Sequence, residues 1–113
     1  MDLQTFCVEI RDRIVGSIEV LVYEGYTEVA TSREGFRSEN TEIVLSQEMR
    51  FDNIEKFGRG KHISTTEIFL TETVVVLTYN RLKVLIFMKP DSNIGLIYSL
   101  LPSISTVFSS IDL

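Results

Sequence analysis

Apolar residues repeat at helical spacing in three parts of the chain, and alternate or run together in the parts between. Leu3, Phe6, Cys7, Ile10 and Ile14 form one stripe, with Asp2, Glu9, Arg11 and Asp12 between them. This spacing predicts an amphipathic helix from about Asp2 to Ile14, ended by Gly16. In "SIEVLVYEGYTEVATS", β-rich runs flank Glu24-Gly25 and predict a hairpin of Ser17–Tyr23 and Tyr26–Thr31. Ser38 is suited to cap a second helix from about Glu39 to Phe57, with Glu39 and Glu42 at its positive end. On a helical wheel Ile43, Val44, Phe51, Ile54 and Phe57 share one broad face. Leu45 and Met49 fall nearly opposite, as a second apolar patch that one-sided packing does not need.

Gly58 and Gly60 suit the end of that helix. Three strands are predicted next: His62–Leu70, Thr73–Tyr79 and Leu82–Met88, the last two joined by a short Asn80-Arg81 turn. "TVVVL" and "LKVLIFM" are nearly continuous apolar runs, as in central strands covered on both faces. "HISTTEIFL" is polar in its middle and reads as an edge strand. Pro90 separates the last strand from a final helix capped by Asp91 or Ser92. Its stripe runs through Leu96, Ile97, Leu100, Leu101, Ile104, Val107, Phe108 and Ile111. Pro102 lies inside the stripe and predicts a kink or restart.

The expected order is α-β-β-α-β-β-β-α. Strands buried on two faces need helices on both, which predicts a three-layer α+β domain. A five-stranded antiparallel sheet would lie between the second helix and the two terminal helices. With 113 residues, the expectation is a single domain over 1–113, burying roughly 65% of the surface its unfolded chain exposes.

Charge narrows the partners. The formal net charge is −5 and the eleven Lys and Arg are scattered, which disfavours binding to a phosphate backbone or an anionic membrane. The single cysteine, Cys7, can form no internal disulfide, which favours a reducing, cytoplasmic setting. "MDLQTFCVEIRDR" mixes charges into its apolar pattern, unlike a secretory signal. The apolar runs are too short to insert in a bilayer.

"FGRGKHISTT" invites comparison with a phosphate-binding loop. The motif G-x-x-x-x-G-K-[ST] fails on sequence, because Glu55 stands where its first glycine belongs and His62 follows Lys61. It also fails on context, since here a helix leads into a strand. Helix termination explains the glycines better. His62 has no partner motif for general-base work. Cys7 suits a small buried hydrophobe. Glu39, Glu42, Glu48, Asp52 and Glu55 spread around the second helix as a solvated face rather than converging. No G-x-S-x-G turn occurs. The expectation is therefore no enzyme, no cofactor and no metal.

Two features have no role inside an isolated chain: the polar edge strand, and the Leu45/Met49 patch on the helix that leads into it. Both should lie along one border. A twofold axis there would pair the edge strands and set the second helices side by side. Proline at position 65 is expected to give monomers by removing a ladder donor.

The chain resembles the roadblock family, the dynein light chain and GTPase-regulator group related to longin domains, over nearly its whole length. The likeness rests on the element order, on "VLVYEGYTEVA" with Gly25 at its turn, and on "LKVLIFMKPDSNIGLIYSLL" with Asn93, Gly95 and Leu96 opening the last helix. Pro102 departs from the family pattern. The resemblance implies a non-enzymatic protein that dimerises through the third strand and second helix, with itself or a paralogue. It also implies a partner among small Ras-like GTPases, regulated or scaffolded without an arginine finger, so neither Arg50 nor Arg59 is assigned as one. Interface residues follow as Leu45, Met49, Asp52 and Lys56 on the helix, and Ile63, Ser64, Thr65, Thr66 and Glu67 on the strand. Two alternatives remain open: an adaptor for dynein or another complex that touches no GTPase, and a small-ligand sensor domain.

Overall fold

A computed structural model describes residues 2–36, 38–55 and 64–111, with backbone alone at 51–55 and 64. The elements are α1 (Leu3–Arg13), β1 (Ser17–Glu24), β2 (Thr27–Thr31), α2 (Thr41–Glu55), β3 (Ser64–Ile68), β4 (Thr73–Tyr79), β5 (Leu82–Met88) and α3 (Ile94–Ser109). This is the expected order. Every strand pairing is antiparallel, in a five-stranded sheet ordered β2-β1-β5-β4-β3.

Alternation along the strands builds two cores. Val20, Val22, Val75, Val84 and Ile86 point to one face, where Phe6, Cys7 and Ile10 of α1 and Ile97, Ile104 and Phe108 of α3 close over them. Leu21, Val76, Leu85 and Phe87 point to the other, beneath Val44 and Leu45 of α2. The nearly unbroken apolar runs of β4 and β5 thus serve both layers.

Local chemistry sets the element ends. Asp2 caps α1, its carboxylate accepting from the Thr5 amide at 2.7 Å, and this bond lowers the Asp2 pKa. Gly16 turns the chain into β1 with φ +88°, and a Cβ there would stand 2.8 Å from Ser92 Oγ. Its carbonyl accepts from the Lys89 amide at 2.9 Å, tying this turn to the start of the β5–α3 loop. Gly16→Ala combines a left-handed backbone with that contact, and is expected to cost about 1–3 kcal/mol. Urea denaturation should show a lower midpoint at unchanged slope. An unchanged midpoint would mean that the turn relaxes freely.

Three expectations need correction. The described helix α2 starts at Thr41 rather than Glu39: the Val44 amide donates to the Asn40 carbonyl. Ser38 and Asn40 both donate to the Glu72 carboxylate, so they anchor the helix start to the β3–β4 turn. Second, α3 runs through Pro102 without a restart. Third, the apolar faces of α2 are rotated from the wheel reading. Leu45 is 2% exposed in the core beneath α2, whereas Ile43 is 52% exposed. The proposed outward patch therefore loses Leu45, and Met49 is half-buried.

The physical reason is Glu48. The sequence pattern places it on a solvated face, yet it is 0% exposed and points inward with Val44 and Leu45. Its Oε1 lies 3.7 Å from Nζ of Lys83. Lys83 is buried near the start of β5 and donates to Thr78 Oγ1 at 3.0 Å. A hydrophobic count sees neither member of a buried ion pair, and so it misplaces the inner face.

Candidate functional site

The sheet has two edges, β2 and β3, and they are finished differently. Along β2 the register slips between Val22 and Tyr23, so Val22 faces Ala30 while Tyr23 faces Glu28. Such a bulge twists an edge away from further pairing. The Thr31 amide, pointing away from β1, is also occupied: it donates to Oε1 of Gln4, reaching over from α1, at 3.2 Å. The N–H of Ser32 points the other way, to the Val20 carbonyl at 2.8 Å.

Along β3 there is no such finish among the described residues. Its five residues pair with β4 in unbroken register, from Ser64 opposite Leu77 to Ile68 opposite Thr73. The Phe69 amide donates to the Glu72 carbonyl at 2.9 Å. In an antiparallel ladder the backbone groups alternate sides. Those of Thr65 and Glu67 therefore turn toward β4, and those of Ser64, Thr66 and Ile68 turn outward. This moves the useful proline by one residue. At Thr65 it would break the β3–β4 ladder itself, whereas at Thr66 it removes an outward donor only.

The side chains of β3 divide between the two faces. Thr65 and Glu67 oppose Val76 and Val74, which belong to the layer under α2. Thr66 and Ile68 share the α1/α3 face, where Thr66 Oγ1 lies 2.5 Å from the Tyr98 hydroxyl. Ile68 is 76% exposed. Glu67 is half-buried, and its Oε2 is enclosed with no hydrogen-bond partner. Burial, and then the charge of Glu48, raise its pKa above the ordinary glutamate value.

The expected border is thus partly assembled. Thr65, Thr66 and Glu67 lie on the edge strand of the sheet, and Met49 lies on α2. The backbones of Asp52 and Ser64 belong to α2 and β3. Lys56 and Ile63 lie outside the described residues, as do Gly58, Arg59, Gly60, Lys61 and His62 of the glycine-bearing stretch. Sequence reasoning missed the Gln4 cap on β2, the Thr66–Tyr98 contact and the Glu48–Lys83 pair. A lysine inside the apolar run of β5, with a glutamate three and four residues beyond Leu45 and Val44, was the available signal for the last.

Other chemistry is sparse. Among the described residues no group of three or more His, Cys, Asp and Glu gathers as a metal site. No described helix is long and apolar enough to cross a membrane. Cys7 is buried, and burial followed by the Glu28 charge pushes its thiol up to about 12, which makes it a poor nucleophile at neutral pH. Among the described residues, open clefts are lined in two places. One of about 320 Å³ lies between Tyr23, Phe36 and the start of α2. One of about 460 Å³ lies between Leu3, Val29 and the β4–β5 turn. The second is lined at its mouth by Glu24 and Arg81, which pair with each other at 3.6 Å.

No family model matches the sequence, and no curated protein does. Solved structures match over almost the entire chain. A roadblock/LC7 domain from Streptomyces avermitilis superposes with TM-score 0.68 at 10% identity, over 96% of this chain and 97% of that one. Myxococcus xanthus MglB gives TM-score 0.68 at 9% identity, over 96% and 95%. MglC from the same organism gives 0.64 at 16% identity, over 98% and 100%. The fold is the roadblock fold.

Proposed function

We propose that residues 1–113 form one roadblock-like domain that works as a dimer in the cytoplasm. The dimer binds a small Ras-like GTPase and regulates or scaffolds it. Its interface is Ser64 to Glu67 of the β3 edge, with Met49 and Asp52 of α2, and with Lys56 and Ile63 of the sequence between the two elements. Leu45 supports α2 from beneath and is no longer assigned to the surface.

The observation that carries the reading is the difference between the two sheet edges. One is bulged and capped by a side chain of its own chain. The other keeps regular register with outward backbone groups. Exposed regular edges are normally blunted in proteins that stay single, and a second copy can supply the missing ladder. The GTPase comes from the role that the sequence resemblance implies, and the roadblock fold of the chain supports it. No side chain is assigned to catalysis, and the dimer would act by contact alone.

A pull-down tests the partner. The tagged chain is mixed with small Ras-like GTPases of its source organism, loaded with GDP or with a non-hydrolysable GTP analogue. The expected outcome is retention of at least one of them in a nucleotide-dependent way. An intact dimer that retains none in either state would favour the adaptor reading.

A further inference from the structure

The cleft of about 460 Å³ beside the β4–β5 turn has an apolar floor and a charged rim. Its volume falls in the range of small-molecule sites, about 300–1,000 Å³. Leu3, Tyr79 and Leu82 pack against the core and stay half-buried. Val29 completes the floor and is 42% exposed. It is the residue that the β2 bulge leaves over, since Val22 faces Ala30 and Tyr23 faces Glu28. A bulge re-aims a side chain, and this one sends the valine into the cleft. No lining residue belongs to β3 or α2, so the cleft is separate from the proposed dimer border.

The floor has little to offer a polar occupant. The Tyr79 hydroxyl is engaged with Ser105 Oγ at 3.1 Å, and its ring stacks on Phe108 at 4.2 Å. A peptide lying here would bring backbone amides that the floor cannot serve, and an unmet amide is costly. A hydrocarbon chain brings none. The rim differs. Asn80 takes φ 56° in the tight β4–β5 turn, and the next residue, Arg81, stands at the mouth with its side chain 87% exposed. Its Nε lies 3.6 Å from Oε1 of Glu24, beyond ordinary hydrogen-bond reach. Among the described residues, its terminal nitrogens have no partner. They form the outer edge of the guanidinium fork, which can hold a carboxylate through two parallel bonds. Glu24 lies on the Nε side and leaves that edge open.

We propose that this cleft binds a single-chain amphiphile with a carboxylate head, of the medium-chain fatty-acid class. The chain lies on Leu3, Val29, Tyr79 and Leu82, and the carboxylate accepts from the terminal nitrogens of Arg81. Neither the dimer nor a GTPase is needed for it, so a monomeric natural chain would leave the test unchanged.

Calorimetric titration with sodium hexanoate, octanoate and decanoate, each kept below its micelle concentration, reads the tail. Affinity should rise about fourfold for each added methylene until the floor is covered. Equal affinities across the series, or no binding of decanoate, would overturn the proposal. Tighter binding of N-acetyl-dileucine than of decanoate would also do so, because the cleft would then be serving peptide amides.

Two variants read the site. Arg81→Gln alters an exposed side chain, so the fold should persist by circular dichroism. It should weaken octanoate roughly tenfold or more and leave 1-octanol unchanged. Undiminished octanoate binding would overturn the head-group contact. Val29→Asp places a carboxylate in the floor and should abolish binding of both probes; unchanged binding would overturn the tail contact. Amide NMR shifts on adding decanoate to the natural chain should gather at Leu3, Val29, Arg81 and Leu82. Shifts gathered instead at the exposed Ile68 and Leu70 would overturn the site.

Discussion

Lys83→Met should destabilise the fold by about 3–5 kcal/mol, because it removes a cation 3.7 Å from a fully buried carboxylate. That is a large share of the roughly 5–15 kcal/mol that holds a domain together. Methionine nearly matches the stem of lysine in volume, so the loss would come from the charge and not from a cavity. The companion experiment separates the two. Glu48→Leu combined with Lys83→Met replaces the pair by apolar groups, and should recover most of the loss. Buried ion pairs of this kind are often no better than hydrophobic residues of similar size. Guanidinium denaturation of both single variants and the double variant closes a thermodynamic cycle. If the two single losses simply added in the double variant, Glu48 and Lys83 would not be interacting. The pair lies beneath α2, so loosening it should also weaken assembly at the neighbouring β3 edge.

Thr66→Pro should raise the dissociation constant of the dimer roughly a hundredfold, about 3 kcal/mol, while leaving the single chain folded. Its amide turns outward, so no bond to β4 is lost, and proline is tolerated at such edge positions. Thr65→Pro offers the contrast. Its amide turns toward β4, so it should lower the stability of each chain directly. A sequence alone does not reveal which of two adjacent threonines turns outward. The ladder bond between the Phe69 amide and the Glu72 carbonyl fixes that parity.

Much of the fold was legible because the apolar patterning is strong. The runs of β4 and β5 announce strands covered on both faces, and the polar centre of β3 announces an edge. The Asn80-Arg81 turn was legible from the two strand patterns that flank it; Asn80 takes the positive φ this tight turn uses. What escaped was polar and nonlocal. Glu48 and Lys83 each look like surface residues until the other is placed beside them. The rotation of α2 follows from that pair, whereas the apolar pattern alone puts Leu45 at the surface and Ile43 in the core. The start of α2 moved because Ser38 and Asn40 bind Glu72, a residue of the distant β3–β4 turn. The border at β3 was found from sequence. That Gln4 caps the Thr31 amide on the opposite edge depends on how α1 packs against β2, which no local pattern encodes.

The most direct measurement is the mass of the natural chain in solution by light scattering across a dilution series, with Thr66→Pro run alongside. Pairing of two β3 edges predicts twice the mass of one chain for the natural protein at micromolar concentration, and a single-chain mass for the folded Thr66→Pro variant. A natural chain that stays at single-chain mass at the highest concentrations, or a Thr66→Pro variant that keeps the doubled mass, would contradict it.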